Sequence, residues 1–463
     1  MSTDIFTRFR ATLPTDLSAL HAGLIGHGIP VEGPFGPHPL VYADYVASGR
    51  ALRQVEGFVM DEILPWYANS HTEASACGAA MTRLRRAARA EILRCLHGSD
   101  DHAVIFAGSG ATAGINRLVH LLGVGPGTTV ILGPYEHHSN ILPWRESGAR
   151  VIELPEADCG GPCPDALARA LQPGAVVALS ACSNVTGITC DVAALTAQVH
   201  EARAQIVWDY AGGAPYLPID LSLGMQAVVL SPHKFVGGPG ASGLLVIRRD
   251  AVRADRPTLP GGGTVRFVSP HGHDYATAVE AREEAGTPNV VGDIRAALVL
   301  AVKDAVGQPR IDAAHARWWA LARARLAAHP RVELLGKLDC PRLPILSFRI
   351  RDGRGGHVHQ QLATRMLSDL HGVQARGGCA CAGPYVHRLL GLDRAASDRL
   401  RAAILAGHEV EKPGFVRLNL CWLAPESEVR FILDAIEDVA ARAPALAARY
   451  ACDESRAIFS PAA

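Results

Sequence analysis

The sequence predicts an α/β fold in which a largely parallel β-sheet is wrapped by helices and is followed by a smaller α+β unit. Between residues 50 and 300, apolar runs of strand length alternate with helical patterns. These runs are continuous and are bounded by Gly, Pro or Asn, which is typical of strands buried on both faces of a parallel sheet. At 463 residues the chain is too long to fold around a single compact core. An Ala/Arg-rich helical stretch near 300–330 separates the two units.

The elements follow in a simple order along the chain. Residues 1–45 form an N-terminal arm, helical at first and then Gly/Pro-rich, which we expect to pack with the small domain. The large domain spans 46–305, and its clearest strands are 103–107, 129–132, 175–180, 205–208, 227–230 and 243–247. The small domain spans 306–450, with strands near 343–350 and 414–421 and helices near 356–371 and 425–443. The Ala-rich end of the chain, with a tail at 451–463, is expected to fray.

Composition predicts a cytoplasmic protein that binds neither nucleic acid nor membranes. The formal net charge is zero, so no global field attracts a polyanion or an anionic bilayer. No apolar run approaches the ~18 residues that a membrane span requires. The eleven cysteines are scattered over the chain, which favours reduced thiols over a disulfide framework. Arg83, Arg85, Arg86 and Arg89 recur at helical spacing, and we expect them to form a solvated helix face.

Lys234 is one of only four lysines, and it lies between an apolar strand (227–230) and a glycine-rich run. Arginine stays protonated at any working pH, whereas a desolvated lysine can lose its proton and attack a carbonyl group. A surface lysine in a turn is the alternative interpretation. This residue alone does not decide between a Schiff-base amine and a turn lysine.

Four further polar clusters follow predicted strands, where ligands of open α/β sheets bind. The small-residue loop at 107–116 opens a helix and could cradle a phosphate, although many such turns hold no ligand. His137 and His138 cannot both face one site, and no further metal ligand lies nearby, so we expect no metal. Asn184 could donate to a ligand oxygen or stabilise a turn. Asp209 ends an apolar strand and needs a cationic partner or a capping role.

Amine, carboxylate, phosphate cradle and stacking imidazole are together the groups that pyridoxal 5′-phosphate (PLP) requires. At this point the chain resembles the class V aminotransferase family of fold-type I PLP enzymes, and within it the cysteine desulfurases and selenocysteine lyases. The resemblance spans most of residues 40–440. It is carried by 110–116, 136–144, 183–187, Asp209, 231–234, 261–263, 284–289 and 372–382. It implies a large PLP-binding domain with a mainly parallel seven-stranded sheet and a smaller α+β domain.

The resemblance also implies a role for each matching residue. Lys234 would bind the cofactor aldehyde and act as a base, Asp209 would pair with the pyridinium, and His137 would stack on the ring as a catalytic residue. The remaining implied cofactor contacts are Asn184 near O3′, Ala111, Thr112, Ser231 and His233 at the phosphate, and Thr287 from a neighbouring subunit. The last contact implies a homodimer with shared active sites. The implied substrate-binding residues are Arg376, which would clamp a carboxylate, Asn69 and Arg417.

Cys381 matches the nucleophilic cysteine of the desulfurases. The implied reaction converts L-cysteine, or a related sulfur or selenium amino acid, to alanine and leaves a persulfide on Cys381 for a sulfur-acceptor protein. Three departures bear on the substrate: Gly212 replaces a usual Gln, Cys379 replaces a frequent His, and about 30 residues (384–414) are inserted after the cysteine loop.

The sequence leaves other functions open. Cys379 could be the reactive thiol in place of Cys381, or neither could react. A class V aminotransferase, an epimerase or a C–S lyase would keep the cofactor without persulfide chemistry. A sulfur-relay partner that has lost catalysis is a third hypothesis, against which the retention of Lys234 and Asp209 argues.

Overall fold

A computed structural model describes residues 4–70 and 72–462, and within these residues the chain divides into two compact units. The first unit comprises the residues up to Ile25, Ser48–Cys182 and Cys190–Gln308. The second comprises Gly26–Ala47, Ser183–Thr189 and the residues from Pro309 onwards. No helix in the described residues is both long enough and apolar enough to cross a bilayer.

The strands and helices are numbered in chain order. The strands are β1 Pro30–Val31, β2 His38–Pro39, β3 Val41–Tyr42, β4 His102–Gly108, β5 Thr129–Leu132, β6 Arg150–Glu153, β7 Val176–Ser180, β8 Gln205–Asp209, β9 Ala227–Leu230, β10 Gly243–Arg248, β11 Val265–Ser269, β12 Gly272–Tyr275, β13 Val332–Leu334, β14 Ile345–Arg351, β15 His357–Val358, β16 Val373–Gln374, β17 Arg376–Gly378, β18 Phe415–Asn419, β19 Tyr450–Asp453 and β20 Ile458–Pro461. The helices are α1 Ile5–Thr12, α2 Leu17–Ala22, α3 Arg53–Phe58, α4 Ala76–Cys95, α5 Gly110–Leu121, α6 Leu142–Glu146, α7 Pro164–Ala170, α8 Val192–Glu201, α9 Val279–Glu283, α10 Val290–Val306, α11 Gln308–Leu326, α12 Gln360–His371, α13 Gly383–Leu389, α14 Arg394–Leu405 and α15 Glu426–Leu446.

The first unit is built on a seven-stranded sheet in the order β4-β10-β9-β8-β7-β5-β6. All neighbours pair in parallel except β10, which is antiparallel to both β4 and β9. The α/β fold and the mainly parallel seven-stranded sheet are thereby confirmed, and all six strands predicted from apolar runs are present. The seventh, β6, carries Arg150 and Glu153 at its ends and lies at the sheet edge, so it has no continuous apolar signal.

Helix α5 packs closely on this sheet because it carries a glycine at the contact. A Cβ at Gly114 would lie 2.9 Å from a methyl group of Val229 on β9. Ile115 and Leu118 on the same helix are buried with the inner faces of the strands. Because α5 directly follows β4, its N-terminus lies at the carboxyl edge of the sheet.

The second unit contains an antiparallel sheet in the order β13-β14-β18-β17, with β15 beside β14. Helices α12 and α15 pack together in this unit, and β3 from the N-terminal part of the chain pairs in parallel with β16. The predicted strands near 343–350 and 414–421 and the helices near 356–371 and 425–443 are all present.

Two predictions about the surface were wrong. The end of the chain does not fray, because β19 and β20 form a hairpin in which the Tyr450 hydroxyl donates to Asp369 Oδ2 at 3.1 Å. The solvated arginine face expected on α4 is wrong for two of its four members, since Arg83 and Arg86 are exposed but Arg85 and Arg89 are not. Arg85 is buried and donates to Asp293 at 2.9 Å and to Glu284 at 2.6 Å, and Arg89 donates to the same Glu284 oxygen. Helical spacing cannot reveal these partners, since they lie about 200 residues away in sequence.

Candidate active site

Four polar segments of the first unit lie together at the carboxyl edge of its sheet. Strands β4, β5, β8 and β9 run in the same direction, so the loops that follow them emerge at one edge. These loops carry the start of α5, His137, Asp209 and the turn around Lys234. The parallel topology therefore brings together clusters that are spread over more than 120 residues of sequence.

Lys234 ends a 3₁₀ turn, Pro232–Lys234, directly after β9, and its side chain is half-buried. The turn packs against the backbone of a distant segment, where Gly49 N donates to His233 O at 2.8 Å. A Cβ at Gly49 would lie 1.8 Å from Phe235 O, and one at Gly238 would lie 2.1 Å from Pro232 O. Both glycines are required by this close packing, which holds the amine at the edge of the sheet.

The start of α5 forms a cradle with the lysine turn. Ala111 N donates to Ser231 Oγ at 3.0 Å, and a Cβ at Gly110 would lie 3.0 Å from both the His233 ring and Ser231 Oγ. Thr112 Oγ1 lies 2.7 Å from Ser139 Oγ on the neighbouring loop. Glycine at position 110 lets the helix start approach Ser231 and His233 closely. Backbone N–H groups at a helix start and neighbouring hydroxyls suit a phosphate group.

Burial and, to a smaller extent, the positive charge of Lys234 together lower the pKa of the His233 imidazole to about 4, which favours the neutral ring near neutral pH. A neutral ring still offers one N–H donor to an anion at the cradle.

Asp209 presents a buried carboxylate to the same edge. Its Oδ1 accepts from Ala211 N at 2.8 Å. Burial raises the pKa of this carboxyl above its usual value, while the Ala211 N–H and the charge of Lys234 oppose that shift. No Arg, Lys or His side chain forms a salt bridge with it anywhere in the described part of the chain. A buried carboxylate of this kind fits a protonated ring nitrogen, which would supply the missing cation.

His137 lies on the loop after β5, next to the cradle. Ser139 N donates to its Nδ1 at 3.1 Å, and Ser139 Oγ lies 3.1 Å from the same nitrogen. The rings of His137 and His138 are tilted by 48° with centroids 6.1 Å apart, so the two imidazoles face different directions. Only one of them can therefore stack on a given planar ligand.

Glu136 is a buried carboxylate at this edge that the sequence interpretation did not assign to the site. It accepts from Ser180 N at 2.9 Å, from Ser180 Oγ at 2.5 Å and from Asn140 Nδ2 at 2.6 Å. Burial raises its pKa to about 7, and the charge of Asp209 adds to the effect, while the three hydrogen bonds oppose it. The available signal was its place in the loop after β5, next to His137. Its partner Ser180 ends β7 and is the register partner of Asp209.

In the second unit, two predicted substrate residues share one carboxylate. Arg376 on β17 and Arg417 on β18 are register partners. Asp44 accepts from Arg376 Nε at 2.9 Å and from Arg417 Nη2 at 3.1 Å. Arg417 is buried and also donates to Asn184 O at 3.1 Å, whereas Arg376 is half-exposed. The sequence interpretation missed Asp44, which has no local pattern and lies 332 residues from Arg376.

The two cysteines of the second unit lie in a tight turn, Cys379–Ala382, called the thiol turn below. Ala382 N donates to Cys379 O at 3.2 Å, and Ala380 and Cys381 have φ of 51° and 54°. The Asn184 amide donates to Ala380 O at 2.8 Å. Cys381 is exposed and Cys379 is half-buried. Asn184 therefore contacts the cysteine segment, a partner that the sequence did not suggest.

The other predicted residues lie on the surface or in the inserted segment. Asn69 and Thr287 are exposed loop residues of the first unit. The insertion at 384–414 contains α13 and α14, and no residue of α14 is buried.

Comparison with known proteins decides the family. The family model described as "Aminotransferase class-V" matches residues 41–430. This chain belongs to the class V aminotransferase family. The resemblance inferred from the motifs is thus confirmed, and the chain is an enzyme of a family that uses PLP.

Curated relatives of the class V enzyme carry related names. A protein named cysteine desulfurase from Enterobacter sp. (strain 638) is 30% identical over 358 residues, which cover 75% of this chain and 86% of the relative. Cysteine desulfurase CsdA from Escherichia coli (strain K12) is 30% identical over 333 residues, covering 69% and 79%.

Solved structures support the same fold for the class V enzyme. The apo cysteine desulfurase from Thermococcus onnurineus NA1 matches with a TM-score of 0.73 at 23% identity, covering 87% of this chain and 95% of that one. The Escherichia coli CsdA structure, with an S-sulfonic acid, matches with a TM-score of 0.68 at 24% identity, covering 94% and 98%. These likenesses confirm the fold-type I architecture.

Proposed function

We propose that this class V enzyme is a PLP-dependent cysteine desulfurase that converts L-cysteine, or a related sulfur or selenium amino acid, to alanine and leaves the sulfur as a persulfide on Cys381. The observation that carries the proposal is the placement of the Lys234 amine and the buried Asp209 carboxylate at one edge of the sheet, where they follow the adjacent parallel strands β9 and β8. Relatives about 30% identical are named for the same reaction.

The first unit offers the groups that would hold PLP. Asp209 would pair with the ring nitrogen, Lys234 would bind the aldehyde carbon, and His137 would stack on the ring. The phosphate would lie in the cradle formed by Ala111, Thr112, Ser231 and His233. PLP, when bound, withdraws electrons from the α-carbon of an attached amino acid and so makes its α-proton acidic.

The protein groups would then carry out the remaining steps. Arg376 would hold the substrate carboxylate, and Arg417 and Asn69 would also bind the substrate. Asn184 would contact the cofactor near O3′. Lys234 Nζ, once released by the substrate, would take the α-proton. Thr287 would reach the phosphate of a second copy, so we propose a homodimer with shared sites, acting in the cytoplasm.

The sulfur step needs no external oxidant. The Cys381 thiolate attacks the substrate sulfur, a new S–S bond forms and the Cβ–S bond breaks. The bonding pair of the broken bond stays with the substrate carbon, which takes up a proton and becomes the methyl group of alanine. Cys381 keeps the sulfur until an acceptor protein or thiol attacks the persulfide. The thiolate is the reactive form, since a thiol is a weak nucleophile.

Mass spectrometry after incubation with L-cysteine tests the proposal. We expect one alanine per turnover and one added sulfur on the peptide that contains Cys381. Cys381→Ala should lose the added sulfur, whereas the matched variant Cys379→Ala should keep it. Lys234→Ala should form neither product.

Other outcomes would redirect the assignment. Added sulfur on Cys379 would move the nucleophile by two residues. Sulfide release at the unmodified rate from Cys381→Ala would contradict the persulfide mechanism and indicate a C–S lyase. A protein that takes up no PLP at all would indicate a non-catalytic relay partner.

A further inference from the structure

The opposed arginines of the second unit raise an electrostatic problem. Arg376 and Arg417 are register partners in the antiparallel pair β17–β18. Directly opposed residues project from the same face of a sheet, and like charges in such pairs destabilise it. Asp44 resolves the repulsion, because one carboxylate oxygen accepts from each guanidinium, at 2.9 and 3.1 Å.

Asp44 is held rigidly between the strands. Ala43 N donates to Gln374 O at 3.0 Å, and Asn419 N donates to Ala43 O at 2.8 Å. The Asp44 side chain is only 10% exposed, and Arg417 is 4% exposed. The carboxylate and the Arg417 guanidinium therefore form a buried pair, and the exposed member of the trio is Arg376, whose side chain is 52% exposed.

The contact with Asp44 decides which edge of Arg376 remains available. Asp44 occupies Nε, and in the described residues the two terminal nitrogens of Arg376 donate to no protein group. These two N–H groups form the fork that binds a carboxylate in a bidentate manner. Two guanidinium groups and one carboxylate also leave a single positive charge, which one substrate carboxylate neutralises.

We infer that Asp44 is a positioning residue for substrate binding: it orients Arg376 so that its terminal nitrogens are dedicated to the α-carboxylate of an amino acid. The inference rests on the proposed role of Arg376 but not on desulfuration. Asp44 acts through Arg376 and touches no reacting atom. Without the negative charge of Asp44, repulsion from the buried Arg417 guanidinium would turn Arg376 away. The α-carboxylate of the substrate would then lose its pre-oriented partner.

The test compares ligands with and without a carboxylate on the PLP-loaded enzyme. The affinities of L-alanine and of ethylamine are measured from the change in cofactor absorbance for the unmodified chain and Asp44→Asn. We expect Asp44→Asn to weaken L-alanine binding by about tenfold or more, as for loss of a charge-assisted bidentate contact, and ethylamine by less than about twofold. KM for L-cysteine should rise by a similar factor, with kcat reduced less than about threefold.

Two results would overturn the inference. Equal weakening of both ligands would mean that Asp44 only holds the fold, and unchanged L-alanine affinity would mean that Arg376 is oriented without it. The matched control is Asp434→Asn, which removes an exposed carboxylate 2.7 Å from Arg325 in the same unit and should change neither affinity. Failure of the desulfurase proposal would appear separately, as normal L-alanine binding without sulfur on Cys381.

A second variant covers the case in which Asp44→Asn does not fold. Arg376→Lys alters a half-exposed side chain and keeps its charge, but a single ammonium group lacks the planar fork that serves two carboxylates. It should show the same selective loss of L-alanine affinity. Retention of full L-alanine affinity in Arg376→Lys would contradict the inference.

Discussion

Ala380 and Cys381 in the thiol turn adopt left-handed backbone conformations, although neither is glycine. Two-residue turns with both central φ angles positive normally carry Asn-Gly or Gly-Gly, because a Cβ in this region approaches the following carbonyl oxygen. The Asn184 amide donates to the carbonyl of Ala380 and holds the turn in place. The segment that presents the candidate nucleophile is thus under backbone strain at two adjacent residues.

We predict that Ala380→Gly stabilises the second unit. The left-handed conformation costs a non-glycine residue roughly 1–2 kcal/mol. Glycine removes that cost but loses about 0.5–1 kcal/mol through the greater entropy of the unfolded chain. The net gain is about 0.5–1 kcal/mol, which at an m-value of about 2 kcal/mol per molar raises the urea midpoint by about 0.3–0.5 M. Urea unfolding followed by circular dichroism measures the shift.

The same substitution at two other alanines provides matched controls. Ala402 is exposed near the end of α14 in a right-handed helix, so Ala402→Gly should lower stability by about 0.5–1 kcal/mol. Ala457, with φ of 52°, lies in the turn of the β19–β20 hairpin, so Ala457→Gly should stabilise as Ala380→Gly does. If Ala380→Gly lowers the midpoint as Ala402→Gly does, the strain argument is wrong.

Two further predictions concern buried charges. The pKa of Glu136 is raised from 4.5 to about 7, so its contribution to stability is full below pH 4.5 and is lost as pH rises through about 7. Glu136→Gln should remove this pH dependence of the free energy of unfolding, which amounts to up to about 2–3 kcal/mol between pH 5 and pH 8. If urea unfolding of Glu136→Gln shows the same pH dependence as the unmodified chain, the raised pKa of Glu136 is refuted. Glu284→Ala removes a carboxylate shared by Arg85 and Arg89 and leaves the buried Arg85 with Asp293 as its remaining ion-pair partner. It should cost about 3–5 kcal/mol, against about 0–1 kcal/mol for Glu73→Ala at an exposed pair. Equal losses in urea unfolding would show that burial of the Glu284 pair is unimportant.

Local sequence patterns were sufficient for the sheet and for much of the site. Continuous apolar runs predicted six of the seven strands because these six are almost completely buried, β4 at one edge of the sheet included. Lys234, Asp209 and His137 could then be grouped, since the ends of parallel strands share one edge. β6 was missed because, unlike β4 at the opposite edge, it is only partly buried and carries charged residues at both ends.

Pairings between distant side chains could not be predicted in the same way. Glu136 precedes His137 within a recognised motif, yet its burial depends on Ser180 and Asn140. Asp44 lies in a segment predicted to be an extended arm, and nothing near it indicates two arginines as partners. The helical spacing of Arg85 predicted a solvent-exposed side chain, which was wrong because its ion-pair partners are also distant in sequence.

The sequence by itself determined the fold class, the family and the identity of the groups expected to bind PLP, because periodicity and short motifs are properties of neighbouring residues. Only the tertiary structure decided which charges are buried, that Arg376 and Arg417 share one carboxylate, and that the thiol turn is left-handed. Those properties depend on contacts between residues up to 373 positions apart, and their energies follow distance and burial rather than sequence order.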